Sequence, residues 1–487
     1  MDSTDKSFLG QPKGLATLFF TEMWERFSYY GMRAILLYYM YDTIANGGLA
    51  LPKATAVAIM SVYGSLVFMS SILGGWISDR LLGMRQTVFI GGLFIMLGHI
   101  VLATPFGMTA LFISMIFIVI GTGMLKASVS TMVGNLYAPE DLRRDAGFSI
   151  FYMGINLGSL LAPIIVGTLG QNVNYHLGFS VAAVGMFVGL VVYYFQGKKT
   201  LKAIGLKPTN PILKEERQKL AKTIGLVSAV VMLIFVFAAL TNRLTIDFFI
   251  NFVSVLGIGL PFYYFTKMLT SKDVTPEERS KVRAYIPLFL SAIVFWSLEE
   301  QGSSILALFA ADRTQGTLWG FNVPASWYQI LNPVFVVVLT PFFVWLWTKL
   351  GDRQPSTVAK FSIGLLFTGS SFILLMFPSI LFGTEQRVSP MWLILSFFIM
   401  IIGEMCLSPV GLSVTTKLAP KAFQAQTLAL WLLADATSQA INAQIARFFT
   451  PATEGAYFGI VGGVAVLTGI ALYFIRQPIQ NLMGNVR

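Results

Sequence analysis

Long apolar runs set the terms on which this chain can fold. About 20 apolar residues suffice to cross a bilayer as a helix, and hydrocarbon accepts a backbone only when its hydrogen bonds are satisfied internally. Such runs recur near 15–41, 54–78, 87–104, 110–136, 146–170, 177–196, 221–240, 246–267, 284–311, 325–348, 358–380, 391–415, 423–448 and 456–475. With 55% hydrophobic and 12% charged residues over a length of 487, the chain departs from soluble domains, where charged residues are about a quarter of the total. The expectation is an all-α polytopic membrane protein with fourteen transmembrane helices.

An even number of spans returns both termini to one side, and Lys/Arg excess marks that side as cytoplasmic. Of the 34 Lys and Arg residues, 26 fall in one set of loops and tails, five (Lys53, Arg243, Arg313, Arg387, Arg447) in the other, and three (Arg26, Arg33, Lys126) inside spans. Both termini are therefore expected in the cytoplasm, with the protein in the cell membrane. The polar segment Met1 to Lys13 enters the first span without a small-residue cleavage site, so that span is expected to remain. The net charge of +11 follows the loops and reads as topology, not as a nucleic-acid surface. Cys406, the single cysteine, excludes an intrachain disulfide, and His99 and His176 stand apart without clustered ligands, which argues against a metal site. His99 reads as a helix-packing residue.

The basic segment from Lys198 through Lys222 follows six spans, two spans then precede a second basic loop, Lys267 to Arg283, and six more complete the chain. This divides the chain into a bundle over 1–197, a linker over 198–220, a hairpin over 221–267, a linker over 268–283 and a bundle over 284–487. Two six-helix bundles with a site between them at mid-membrane is the logic of a major facilitator transporter. The hairpin, with Arg243 and Asp247 near its outer turn, reads as a lateral scaffold. The loop Gly74-Gly75-Trp76-Ile77-Ser78-Asp79-Arg80-Leu81-Leu82-Gly83-Met84-Arg85 resembles the cytoplasmic loop signature of the major facilitator superfamily. Its carboxylate and arginines can clasp helix ends, and its glycines permit a tight turn.

Within the spans the charges are few. In the first, Glu22, Glu25, Arg26, Tyr29, Tyr30 and Arg33 fall on one helix face roughly 140° wide and about 16 Å long. A charge at mid-bilayer costs about 2.5–3.5 kcal/mol on insertion scales, so this face must pair internally or line a watery path. Lys126, Glu299, Glu300, Glu404 and Asp435 add ionisable groups in spans expected to converge. Opposite signs in opposite halves can act as latches, Arg33 with Glu300 and Lys126 with Glu404, and Lys53 with Asp312 at an outer gate. Glu299 and Glu300 lie about 100° apart on a helix, so only one can point fully into the path, and Glu300 is the expected one. Asn156, Asn332, Trp431, Tyr29 and Tyr30 supply amides and aromatic walls suited to a peptide-like ligand, each with a second reading as helix-packing contact. Asp435, about one turn from Trp431, brings a further carboxylate near the pocket unless Ser438, Gln439 or backbone satisfies it.

The pattern Glu22-x-x-Glu25-Arg26-Phe27-x-Tyr29-Tyr30 resembles the signature of the proton-dependent oligopeptide transporter family. Gly121-Thr122-Gly123-Met124-Leu125-Lys126 with Ser130, the run Phe151 to Ser159, Glu299-Glu300-Gln301-Gly302 and Gly403-Glu404-x-x-x-Ser408-Pro409 look like the same family, so the resemblance covers nearly the whole chain. The short loop between Pro378 and Pro390 looks like the bacterial branch. The resemblance implies proton-coupled uptake of di- and tripeptides. Arg26, Lys126 and Tyr30 would hold the peptide carboxylate, Glu404, Asn156 and Asn332 its amino terminus, and Glu22, Glu25 and Glu300 would carry protons. No cofactor beyond the coupling proton is expected, and a monomer is the expected working unit. Ala127 and Ser128 follow Lys126 where many relatives have proline and asparagine, and Phe68 stands where several have tyrosine. A drug/proton antiporter on the same fold is the competing reading. An intramembrane enzyme would need a nucleophile and base that neither histidine provides.

Overall fold

The computed structural model describes residues 8–138, 141, 143–318 and 320–484. The start of the Met1 to Lys13 segment, the last three residues and the side chain of Ala127 lie outside the described residues. The first bundle is built from α1 (Lys13–Tyr41), α2 (Lys53–Ile77), α3 (Met84–Leu102), α4 (Gly107–Gly134), α5 (Arg144–Ala162), its continuation α6 (Thr168–Asn172) and α7 (Tyr175–Thr200). A hairpin of α8 (Lys214–Leu240) and α9 (Ile246–Thr270) follows. The second bundle holds α10 (Pro276–Glu299), α11 (Ile305–Asp312), α12 (Leu331–Leu350), α13 (Thr357–Phe382), α14 (Met391–Leu418), α15 (Gln424–Ile445) and α16 (Glu454–Phe474), and the short α17 (Arg476–Met483) ends the described chain. Between α11 and α12, β1 (Thr317–Leu318) pairs antiparallel with β2 (Phe321–Asn322).

Among the described residues, twelve helical segments are long and apolar enough to cross a membrane. α1 and α15 are comparably long, at 29 and 22 residues, but fall short in apolarity. α1 carries Glu22, Glu25, Arg26 and Arg33, and α15 carries Gln426, Asp435, Gln439, Asn442 and Gln444. Both are enclosed by more apolar helices: α1 packs on α5 and α7, and α15 on α2, α9 and α10. The polar faces are tolerable because protein, not lipid, surrounds them. The fold is thus the expected all-α arrangement of two six-helix bundles plus a hairpin. In the hairpin α9 lies against α2 and α15, while α8 is almost entirely exposed, charged over its first turns and apolar from Ile224 onward.

The structure adds detail to two of the expected spans. The span over 284–311 interrupts its α-helix at Glu300–Ser303, a 3-10 turn, before α11 resumes. Gly302 weakens the helix there, and the Gln301 amide is drawn sideways to Asn442 and Tyr457. The hairpin's first helix begins at Lys214, about two turns before the expected 221. Its first turn is held by the segment after α2, where Arg80 pairs with Glu216, and the linker before it is held by α3, where Arg85 donates to the Lys202 carbonyl at 2.8 Å. Gly83, at φ +78°, makes the turn that leads into α3.

Helices without an apolar solvent contrast must pack by close approach. Both bundles do so through facing glycines: Gly91 of α3 with Gly121 of α4, and Gly369 of α13 with Gly462 of α16. At Gly74 of α2 an added Cβ would run into the Gly123 carbonyl of α4, whereas one at Gly225 of α8 would meet nothing within 4 Å. Gly74→Val should therefore destabilise the detergent-solubilised protein by about 1–3 kcal/mol or more, read as a lower thermal-unfolding midpoint, and Gly225→Val should not. Equal midpoints for the two variants would contradict this packing.

Candidate functional site

The charged face of α1 divides into two clusters. In the first, Arg26 Nε lies 3.2 Å from Glu22 Oε1 and 2.5 Å from Glu25 Oε2. The guanidinium carbon sits 5.3 Å from the Tyr29 ring centre and 6.0 Å from that of Tyr30. Two glycines of α5 make this possible: Gly154 rests on Phe19, and Gly158 on the Met23 carbonyl and Arg26 Cβ, so α5 closes over the cluster. Glu22 Oε2, Glu25 Oε1 and Arg26 Nη2 are buried without partners among the described residues. The knot thus keeps unused bonding capacity on both its acid and its base.

The second cluster joins the bundles. Arg33 of α1 forms an ion pair with Glu300, with side chains only 9% and 12% exposed. Gln439 of α15 donates its amide at 2.5 Å to the same Glu300 oxygen, Oε2. That amide rests in a notch at Gly64 of α2, where a Cβ would lie 2.6 Å from Nε2. Behind it, Ser297 donates to Asn442 Oδ1 at 2.6 Å, Gln301 to the same oxygen at 3.2 Å, and Tyr457 to Gln301 at 2.9 Å. This network fixes the 3-10 turn that presents Glu300 to Arg33. Sequence reasoning missed Asn442, and it considered Gln439 only as a partner for Asp435, not for Glu300. Their signal was present, since Trp431, Asp435, Gln439 and Asn442 recur at helical spacing along one face of α15.

Beside these clusters a cavity of about 390 Å³ opens between the bundles, within the roughly 300–1,000 Å³ of small-ligand sites. Tyr30, Arg33, Lys126 and Asn156 line it from the first bundle, and Glu299, Glu300, Asn332, Glu404, Trp431 and Asp435 from the second. Arg26 and Tyr29, expected at the ligand, are not among the lining residues: Arg26 is engaged by the two glutamates, and Tyr29 is packed between Tyr30 and Tyr63. The expected Lys126–Glu404 latch is also not formed. Lys126 Nζ sits 4.3 Å from the Phe68 ring centre, and Glu404 Oε2 is buried without a partner, each on a wall from a different bundle. Asn332 donates to Glu299 Oε1 at 2.5 Å, Asn156 donates to the Tyr152 carbonyl at 2.9 Å, and Trp431 meets Trp296 edge to face at 6.3 Å. Among the described residues no three His, Cys, Asp or Glu side chains converge to hold a metal ion. His99 is fully buried in α3, and neither ring nitrogen has a partner among the described residues.

Hydrogen bonds between the bundles gather toward the end where α1 leads into α2. Tyr38 donates to the Ala307 carbonyl at 3.1 Å, Trp327 to Thr168 at 2.9 Å, and the Ser326 N–H to Gln171 at 3.0 Å. Lys53 Nζ lies 2.6 Å from Asp312 Oδ2, with both side chains nearly half exposed.

Comparison with known proteins agrees with this geometry. A di-/tripeptide transporter of Lactococcus lactis subsp. cremoris is 53% identical over all of this chain and 99% of its own length. A peptide transporter of Yersinia enterocolitica subsp. palearctica is 36% identical over 99% of this chain and 97% of its own. The crystal structure of a peptide transporter POT in complex with sulfate, 54% identical, superposes with a TM-score of 0.96 over 98% of this chain and 97% of that one. A POT family transporter in complex with 5-aminolevulinic acid, 46% identical, superposes at 0.93 over 98% of both chains. Residues 85–460 match the family model described as the POT family, and the chain belongs to that family of multi-pass membrane transporters.

Proposed function

We propose that this protein carries di- and tripeptides into the cell together with protons, by alternating access around the cavity between its bundles. The observation that carries the reading is the pairing pattern of that cavity. Lys126 and Glu404 face it from different bundles with no ion pair between them, while Arg33 and Glu300 hold the bundles together beside it. A zwitterionic peptide supplies the missing partner at each end, its carboxylate to Lys126 and Tyr30 and its amino group to Glu404, Asn156 and Asn332. The relatives named as di-/tripeptide transporters support this substrate class.

Proton coupling follows from the same charges. A proton on Glu300 removes the charge that holds Arg33, and the bundles are then free to part at the α1–α2 end, which the Lys/Arg distribution makes extracellular. Glu22 and Glu25 pass protons past Arg26, which they release as a peptide carboxylate arrives. Lys53 and Asp312 form the outer gate. The bundles 1–197 and 284–487 rock against each other, linked through 198–220 and 268–283, with the hairpin 221–267 as scaffold. The protein works as a monomer in the cell membrane with both termini cytoplasmic, and the coupling proton is its only cofactor.

In liposomes, an inward proton gradient should drive accumulation of labelled dialanine, and uptake indifferent to the gradient would overturn the proposal. Glu22→Gln, Glu25→Gln and Glu300→Gln should each abolish gradient-driven accumulation while retaining some counterflow exchange. A variant that still concentrates peptide would remove that carboxylate from the coupling path. At the outer gate an exposed pair is worth only about 0–1 kcal/mol, so Lys53→Asp or Asp312→Lys alone should slow transport partially. The double swap should restore part of the loss, and absence of any rescue would exclude a gating role for the pair.

A further inference from the structure

Asp435 is the charge that the peptide-transport reading leaves without a task. The residue is 5% exposed, it lines the cavity beside Trp431, and its Oδ1 is buried without a partner among the described residues. The groups that could have satisfied it are turned elsewhere: Ser438 donates to the Asp435 main-chain carbonyl at 2.7 Å, and Gln439 donates to Glu300. Among the described residues no cation lies within ion-pair distance of it, although Lys126 and Arg33 act on it from farther away.

The cavity wall can be counted charge by charge. It holds two cations, Arg33 and Lys126, and four carboxylates, Glu299, Glu300, Glu404 and Asp435. Arg33 is engaged by Glu300, and Glu299 accepts from Asn332. A zwitterionic peptide backbone then satisfies Lys126 and Glu404, and two carboxylates remain without a cation: Glu299, whose Oε1 is held by the neutral Asn332 amide, and Asp435. Because a buried charge is tolerated only when paired, a ligand bearing one more positive charge completes the site better than a neutral one.

Resting on the peptide-transport reading, we propose that Asp435 is a specificity-determining residue that receives the ammonium or guanidinium of a cationic peptide side chain. Trp431 and Trp296, packed against each other at the same wall, offer apolar faces along which a lysine or arginine stem can lie.

The test compares unlabelled Ala-Lys, Lys-Ala, dialanine and Ala-Glu as competitors of labelled dialanine uptake in liposomes, for the wild type, Asp435→Asn and Asp435→Glu. A charge-assisted contact predicts that the wild type prefers at least one of the two cationic dipeptides over dialanine by about tenfold in half-inhibitory concentration. Asp435→Asn should erase that ratio, and Asp435→Glu should keep most of it. An unchanged ratio in Asp435→Asn, or equal inhibition by cationic and neutral dipeptides in the wild type, overturns the assignment while leaving peptide transport intact. Absence of any dialanine uptake by the wild type overturns both. Thermal-shift titration with Ala-Lys and Lys-Ala reads the same preference as ligand-induced stabilisation, so a variant impaired in transport still reports on it.

Discussion

The ion pair between Arg33 and Glu300 is the contact on which the relation between the two bundles depends. Both side chains are almost completely withdrawn from water, and they belong to different halves of the chain. Breaking such a pair by removing one partner typically costs about 3–5 kcal/mol, because the remaining charge is stranded. The exposed Lys53–Asp312 pair at the same end is worth at most about 1 kcal/mol. The difference decides which contact can hold a conformation and which can only bias it. Gln439 adds to the stronger one, since its amide donates to the oxygen that Arg33 engages and is itself seated against Gly64 of the opposite bundle.

Charges of this kind survive in a membrane only when other helices shield them. α1 and α15, the two long helices that are not apolar enough to face lipid, carry about half of the ionisable and amide groups of the site, and each packs against helices that are. Close packing makes that shielding complete. Gly154 and Gly158 let α5 press directly onto the Glu22–Glu25–Arg26 cluster, so that these charges see protein groups on every side rather than hydrocarbon.

Hydropathy exposed the helices and their order because the bilayer enforces a minimum apolar length, and helical periodicity placed the α1 charges on one face for the same reason. The offset of Glu299 from Glu300 gives them different partners, Arg33 for Glu300 and Asn332 for Glu299, although both line the cavity where only Glu300 was expected to point fully into it. What periodicity could not reveal is the direction imposed by tertiary contacts. The interruption after Glu299 depends on Gln301 reaching Asn442 and Tyr457 of other helices, and Gln439 gains its place from a glycine over 370 residues earlier. Complementary charge alone also misassigned a latch: Lys126 and Glu404 have opposite signs and share a cavity, yet Lys126 lies over the Phe68 ring and no ion pair joins the two.

The account rests on the charge of Glu300 controlling closure at the α1–α2 end, and distance measurement between the bundles tests this most directly. Spin labels at Ala45→Cys and Glu385→Cys, on exposed positions of the two bundles and in a Cys406→Ala background, report the separation by pulsed electron resonance. With Glu300 intact the distribution should be dominated by a short distance, and Glu300→Gln should move a large part of it to longer distances. An identical distribution in the two proteins would contradict the claim that this ion pair holds the bundles together.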